Sequence, residues 1–312
     1  MCENVFQKII IELCEEMNIR LEKLSYNDWV LQLSKDDKIR HIIGYRFDLN
    51  SEAAGNIACD KAATYQVLNS KKIPAVEHEI LFNPVTRSKY LSNVGNCGII
   101  EKYFSMHKSV VIKPNDGSEG NGVFLCNTMK DAEFAINKLF RTKDTVCICP
   151  YYDIVTEYRT FYLNGHVLLI YGKEKPHVIG DGQKSVGELI AGLDLPENIV
   201  VKDNLKNLNH KEILSNGEKR YLSWKHNLSG GAVPHVLEKS ELYNQIETLA
   251  ISAGNIMNMK FATIDVVKTT DGKLRVLEVN SGIGISNFIS KVYGGYEIAK
   301  DILRKALESM FE

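Results

Sequence analysis

The sequence predicts an α+β protein of two or three packed lobes, and three observations carry that prediction. Its 312 residues exceed what one small core needs. Two tight-turn dipeptides, Asn164-Gly165 and Asp271-Gly272, each join a pair of apolar strand-like runs, which makes antiparallel hairpins. Helix-period segments open and close the chain, and Pro150 marks a seam between a β-rich middle lobe and a larger α+β lobe after it.

Composition narrows the class. Hydrophobic residues make up 44% and charged residues 25%, an ordinary soluble globular balance. A formal charge of −1 gives no global attraction to nucleic acid or to an anionic membrane, so neither is expected as a partner and any basic site must be local. Near the start, Val5, Phe6, Ile9, Ile10, Leu13, Cys14 and Met17 recur at helical spacing, while Glu12, Glu15 and Glu16 interrupt them. That pattern is an amphipathic helix, not a signal peptide. No run approaches the ~20 apolar residues of a membrane span. Seven cysteines, odd in number and scattered, read as reduced thiols in a reducing, cytoplasmic compartment.

The elements follow in order. A helix is expected over 3–18, strands over 28–33 and 39–43, and a short helix after Ser51, with Ser51 as N-cap and Glu52 as first-turn acid. Next come a helix from Asp60, a strand over 73–76 with Pro74 at its edge, and an apolar strand over 109–113. A glycine-rich loop, a strand over 122–126, a helix over 131–140 and a strand over 145–149 complete the middle. Past Pro150 the strands 158–163 and 166–171 form the first hairpin. A short helix over 185–192 and an irregular stretch over 196–215 follow. A helix over 240–257 carries Leu242, Ile246, Leu249, Ala250, Ala253 and Ile256 on one side. The strands 261–268 and 274–280 form the second hairpin, and a helix over 295–310 closes the chain. Three segments result: 1–56, a short N-terminal lobe; 57–149, a central lobe; and 150–312, a C-terminal lobe.

Two constellations carry chemistry. The loop Lys113-Pro114-Asn115-Asp116-Gly117-Ser118-Glu119-Gly120-Asn121-Gly122 joins two apolar strands. Its glycines permit positive φ and let backbone N–H groups converge on phosphate oxygens, with Lys113 as a charge partner. It is not a Walker loop, because the Gly-Lys-Ser/Thr ending is missing and a strand follows. A plain glycine-rich hairpin with a snorkelling lysine is the alternative.

The second constellation is acidic. With Asp271-Gly272 at the turn, Asp265 falls opposite residues close to Glu278, and Glu278 and Asn280 share a face. Two carboxylates and an amide oxygen make a hard-oxygen site suited to Mg²⁺ or Mn²⁺ bridging nucleotide phosphates. Surface acids on an amphipathic sheet are the alternative, against which stand the apolar neighbours of both residues.

These pieces, in order, resemble the ATP-grasp ligases, nearest in pattern to the cyanophycin synthetases and ribosomal-protein glutamate ligases. The strings are Asp60-Lys61, Val111-Ile112-Lys113-Pro114-Asn115-Asp116-Gly117, Val178-Ile179-Gly180-Asp181-Gly182, Asn227-Leu228-Ser229-Gly230-Gly231, and Ile264-Asp265-Val266-Val267 with Leu277-Glu278-Val279-Asn280. The resemblance runs from about residue 60 to 310 and implies ATP gripped between two antiparallel sheets. It implies that Lys113 contacts the phosphates or adenine, and that the loop carrying Asp116, Gly117, Ser118, Gly120 and Gly122 folds over the phosphates. Backbone around Cys147 and Cys149 would meet the adenine edge, where relatives often carry a glutamate, and Glu157 would take the ribose hydroxyls. Asp265, Glu278 and Asn280 would hold the metal. Arg159 and Lys173 would neutralise the transferred phosphoryl group, and Asn227 would supply donors to it.

The implied reaction is carboxylate–amine ligation through an acyl phosphate, on an amino acid or peptide. A kinase using the same grip, or a nucleotide-binding protein without turnover, are the alternatives. Arg46 is a candidate for a substrate carboxylate or for a structural ion pair, and a homo-oligomer is left open.

Overall fold

The computed structural model describes residues 4–25, 28–117, 120–193 and 208–312. Helix α1 (Val5–Glu16) is capped by the Asn4 side chain, which accepts from the Phe6 amide. A four-stranded antiparallel meander follows: β1 (Arg20–Lys23), β2 (Val30–Lys35), β3 (Lys38–Ile43) and β4 (Arg46–Phe47). The sequence pattern gave the middle two strands; β1 and β4 are too short to show a period. Helix α2 (Glu52–Cys59) starts on the Ser51 cap as expected, and α3 (Lys61–Ser70) starts on an Asp60 cap. In place of the strand expected over 73–76 there is an isolated parallel bridge, Ala75 to Val276. Pro74 lacks the N–H that a longer ladder would need there.

The middle sheet has the order β5-β8-β6-β7, from β5 (Glu79–Phe82), β6 (Val110–Pro114), β7 (Phe124–Cys126) and β8 (Thr145–Pro150). Helices α4 (Gly95–Met106) and α5 (Met129–Leu139) cover one face through Ile100, Tyr103, Ala132, Ala135 and Leu139. Helix α4 was not legible, since it contains two glycines and has no side-chain cap. Helix α5 begins two residues before the expected Asp131, which instead closes a capping box with Thr128.

The large sheet is built from β9 (Ile154–Leu163), β10 (His166–Glu174), β13 (Val233–Val236), β14 (Phe261–Thr269) and β15 (Leu274–Asn280), in the order β13-β10-β9-β14-β15. Between them, β11 (His177–Ile179) and β12 (Lys219–Tyr221) form a two-stranded ribbon, with α6 (Val186–Ala191) beside it. The expected irregular stretch over 196–215 lies outside the described residues as far as 207. Helices α7 (Glu241–Ile256), α8 (Ser286–Lys291) and α9 (Gly295–Phe311) complete the chain.

Alternation along these strands divides their side chains between two faces. Tyr158, Tyr162, Ile170, Ala262, Ile264 and Val266 turn back and pack under α7, with α2 and α3 joining that core. On the front, Phe161, Leu169 and Phe261 share a core with α1, the meander and α9. The other front-face positions, among them Glu157, Arg159, Lys173, Asp265 and Tyr171, face the middle sheet across a cleft of about 390 Å³.

Candidate active site

The cleft has an apolar half and a charged half. Val76, Val111, Val123, Ile154, Trp224 and Leu277 line the apolar half, a slot suited to a flat base. Two of these residues reach it for specific reasons. Trp224 is braced edge-on against Tyr151, ring centroids 6.0 Å apart. Leu277 is the extra residue of a β-bulge, because Asp265 pairs with Glu278 while the next residue, Val266, pairs with Val276. A bulge breaks alternation, so Leu277 and Glu278 both line the cleft despite being neighbours in sequence.

The charged half is centred on Asp265. Its fully buried carboxylate takes two bonds from Arg159, Nε at 2.8 Å and Nη2 at 2.6 Å, and a third from Lys173 Nζ at 3.2 Å. Burial opposes its charge, but Arg159 and Lys173 outweigh that and hold the carboxyl well below the usual range. Lys173 also forms a short ion pair with Glu157. Glu278 lies opposite Asp265, with its Oε2 3.5 Å from Lys61 Nζ and its Oε1 3.3 Å from Asn280 Nδ2. Thus Lys61, Lys113, Arg159 and Lys173 face three carboxylates, Glu157, Asp265 and Glu278. The imbalance is positive, as a polyphosphate requires.

Gly117 and Gly120 of the glycine-rich loop line this half, and each is held at its carbonyl. Lys61 Nζ donates to Gly117 O at 2.6 Å, and Lys225 Nζ donates to Gly120 O at 3.0 Å. Gly120 sits at φ +70°, and a Cβ there would stand 2.5 Å from Asn227 Oδ1. Only glycine lets the loop tip approach Asn227 so closely. Asn227 itself opens a 3₁₀ turn (Leu228–Gly230) that Lys291 pins through the carbonyls of Leu228 and Ala232.

The structure gathers most of the residues singled out in the sequence. Lys113, Gly117, Gly120, Cys149, Glu157 and Arg159 line the cleft, as do Lys173, Asn227, Glu278 and Asn280. Asp265 lies directly behind this wall, covered by its two cations. Three others point elsewhere. Asp116 is exposed and bonded to Lys143 at 2.9 Å, Gly122 packs toward Leu139 and Pro114, and Cys147 is fully buried one position behind the cleft edge. Burial pushes the Cys147 thiol up to about 12, so it stays a neutral wall residue. Ser118 lies outside the described residues. Pro150 and Tyr151 line the cleft after Cys149.

Among the other basic groups, Arg220 is engaged by Glu212 and Glu218, and Lys175 sits over the Tyr221 ring, both away from the cleft. The His226 ring bonds the Lys173 carbonyl at 2.7 Å. Arg46 has no carboxylate partner among the described residues; its Nη2 donates to Cys59 Sγ at 3.0 Å. Lys61, Tyr45, Tyr171 and Trp224 are cleft residues that sequence reasoning missed. For Lys61 a signal existed, since it stands directly after the Asp60 cap and so at a fixed helix end.

A metal site needs hard oxygen donors. Among the described residues no three His, Cys, Asp or Glu side chains converge to hold an ion, and the candidate set remains two paired carboxylates and an amide. Its chemistry fits Mg²⁺ and not a thiolate- or imidazole-seeking metal.

Comparison with known proteins gives the architecture a family setting. A family model described as a RimK-like ATP-grasp domain matches residues 199–306. The solved bifunctional glutathione synthetase from Pasteurella multocida aligns over 96% of this chain and 44% of its own, with TM-score 0.58 and 19% identity. The chain has the ATP-grasp fold. Cyanophycin synthetase of Geminocystis herdmanii is 22% identical over 281 residues, which cover 82% of this ATP-grasp chain and 30% of the relative. The tetrahydromethanopterin:alpha-L-glutamate ligase of Methanocaldococcus jannaschii is 40% identical over 90 residues, 28% of each chain. The chain thus spans less than a third of the length of the cyanophycin synthetase it matches.

Proposed function

We propose that this ATP-grasp chain is an ATP-dependent ligase that joins a carboxylate to an amine through an acyl phosphate. The observation that carries the proposal is the juxtaposition of Arg159 and Lys173 with the Asp265–Glu278 pair, directly beneath a glycine loop and beside an apolar base slot. The ligase names of the relatives support the same reading.

The nucleotide base lies in the apolar slot against the backbone around Cys149 and Tyr151. Glu157 receives the ribose. Lys113 and Lys61 take phosphate oxygens, and the loop over 116–122 excludes water that would hydrolyse an acyl phosphate. Burial opposes the charge of Lys113, and the nearby Glu278 and Glu157 carboxylates favour it. Mg²⁺ or Mn²⁺ would screen the phosphates and polarise the transferred phosphoryl group; Glu278 and Asn280 would hold it, and Asp265 would join them once Arg159 and Lys173 turn from it to the phosphates. A substrate carboxylate oxygen attacks the γ-phosphorus, ADP departs, and the amine then attacks the acyl carbon and expels phosphate. Arg159 and Lys173 neutralise the charge that spreads over the phosphoryl oxygens, and Asn227 donates from the opposite side.

The substrates, an amino acid or peptide supplying each partner, enter at the end bounded by Tyr45, Gly282, Gly284 and Ser286, with Arg46 at its rim. An ADP-release screen over pairs of amino acids and small peptides, with mass spectrometry of products, tests the reading. ADP released with the amine omitted, leaving a stable phosphorylated product, means a kinase. AMP and pyrophosphate as products would sink the acyl-phosphate route. The Glu278 side chain is 22% exposed. Glu278→Gln is therefore expected to lower turnover roughly 100-fold or more while leaving the thermal midpoint nearly unchanged.

A further inference from the structure

The register of the large sheet places four polar residues in one cross-strand row. Tyr171 pairs with Arg159, Arg159 with Asp265, and Asp265 with Glu278. Cross-strand partners share a face. The row therefore runs along the cleft wall from the metal acids, through the phosphoryl cation, to a phenol. Nothing in the proposed chemistry has yet used that phenol.

Tyr171 is held rigidly. Its ring centroid lies 4.9 Å from that of Phe288 and 6.3 Å from that of Phe161. It lines the cleft, yet the residue is fully buried and its hydroxyl has no hydrogen-bond partner among the described residues. Leaving a hydroxyl buried and unbonded is destabilising, and a ligand oxygen seated against it would remove that cost. The charges that act on it most are the cations Arg159 and Lys173, and burial keeps it a phenol by raising its pKa. A neutral O–H beside two cations is complementary to an anionic oxygen. In-line transfer puts the attacking oxygen on the side of the phosphoryl group away from the leaving nucleotide. Along this row, away from the metal acids means toward Tyr171.

We propose that the Tyr171 hydroxyl hydrogen-bonds the substrate carboxylate that accepts the phosphoryl group, and keeps that bond to the acyl oxygen while the amine attacks. The phenol donates without losing its proton. It lowers the barrier by orienting the carboxylate and by stabilising the oxyanion that forms on the acyl carbon. This inference rests on the ligase reading above.

The test is Tyr171→Phe in the full chain, an isosteric change that removes only the unbonded oxygen. With the carboxylate–amine pair found by the ADP-release screen, kcat/KM for the carboxylate is expected to fall roughly 10- to 100-fold, the span of one hydrogen bond to a charged group. KM for ATP should not move, and the thermal midpoint should stay level or rise. Kinetics within twofold of wild type would overturn the proposal. So would a lower midpoint with ATP and carboxylate kinetics impaired together, since the hydroxyl would then be structural. If the wild-type protein releases no ADP with any pair, the ligase reading fails first and this inference falls with it.

Discussion

The two ends of the large sheet's front face are made from the same strands but hold together by opposite means. At one end Phe161, Leu169 and Phe261 sink into the core beneath α1 and α9. At the other, on the same β9, β10 and β14, Arg159, Lys173 and Asp265 form a buried ionic cluster. The apolar end gains free energy from burial without regard to direction. The ionic end is costly to bury, and it persists only because each charge meets an opposite one in good geometry. One end supplies stability and the other spends part of it to hold charge where a phosphoryl group must pass.

Replacing the centre of the ionic end should have the largest consequences. Asp265→Asn leaves Arg159 buried against a neutral amide and Lys173 with Glu157 alone, a loss of about 3–5 kcal/mol. Urea unfolding should register that loss, and ADP release should vanish. A stability change near zero would show that the cluster is open to water, and the contrast between the two ends would dissolve. Phe261→Ala probes the opposite end. Phe261 is buried edge-on against Phe47, ring centroids 5.1 Å apart. Its truncation should cost about 3–5 kcal/mol while kcat/KM of the folded protein holds. Activity falling with stability would mean that the ends are not separable.

A smaller effect sharpens the comparison through pH. His78 is buried behind the nucleotide half, with Nδ1 donating to the Val76 carbonyl at 2.9 Å and Nε2 unpartnered among the described residues. Burial first, then Lys113 and Lys61, hold its pKa well below the usual value. The unfolded chain therefore binds this proton before the folded one. The stability is fully present above the unfolded pKa of about 6.5 and declines by about 1.4 kcal/mol per pH unit below it. Urea midpoints from pH 8 to pH 5 should follow that slope, and His78→Asn, which keeps a donor for Val76, should flatten it. The smallest expected effect is Gly120→Ala. An L-residue in that left-handed position costs about 1–2 kcal/mol. Isothermal titration should therefore find weaker ATP binding, with the thermal midpoint lowered by only a few degrees.

Much of this was legible because it is local. Ser51 and Asp60 cap helices by reaching three residues ahead, and each does so here. The Asp271-Gly272 turn marks the hairpin, while the bulge at Leu277 is what sets Glu278 opposite Asp265. The strand over 73–76 failed for a related reason, since an apolar run with a proline cannot reveal whether a ladder partner exists. Lys61 went unassigned because its target, Glu278, is distant in sequence and no local pattern links them.

By itself the sequence determined most of the long helices and strands, the turns and the residue types that phosphate and a hard cation require. Periods, caps and turn dihedrals are set within a few residues, so a single chain displays them. Only the tertiary structure decided that Arg159, 106 residues away, would seat on Asp265. It also brought Leu277 into the cleft through a bulge and put Tyr171 at the end of the charged row. Those outcomes depend on which strands become neighbours, and strand order follows from the burial of whole faces, a balance that no local window contains.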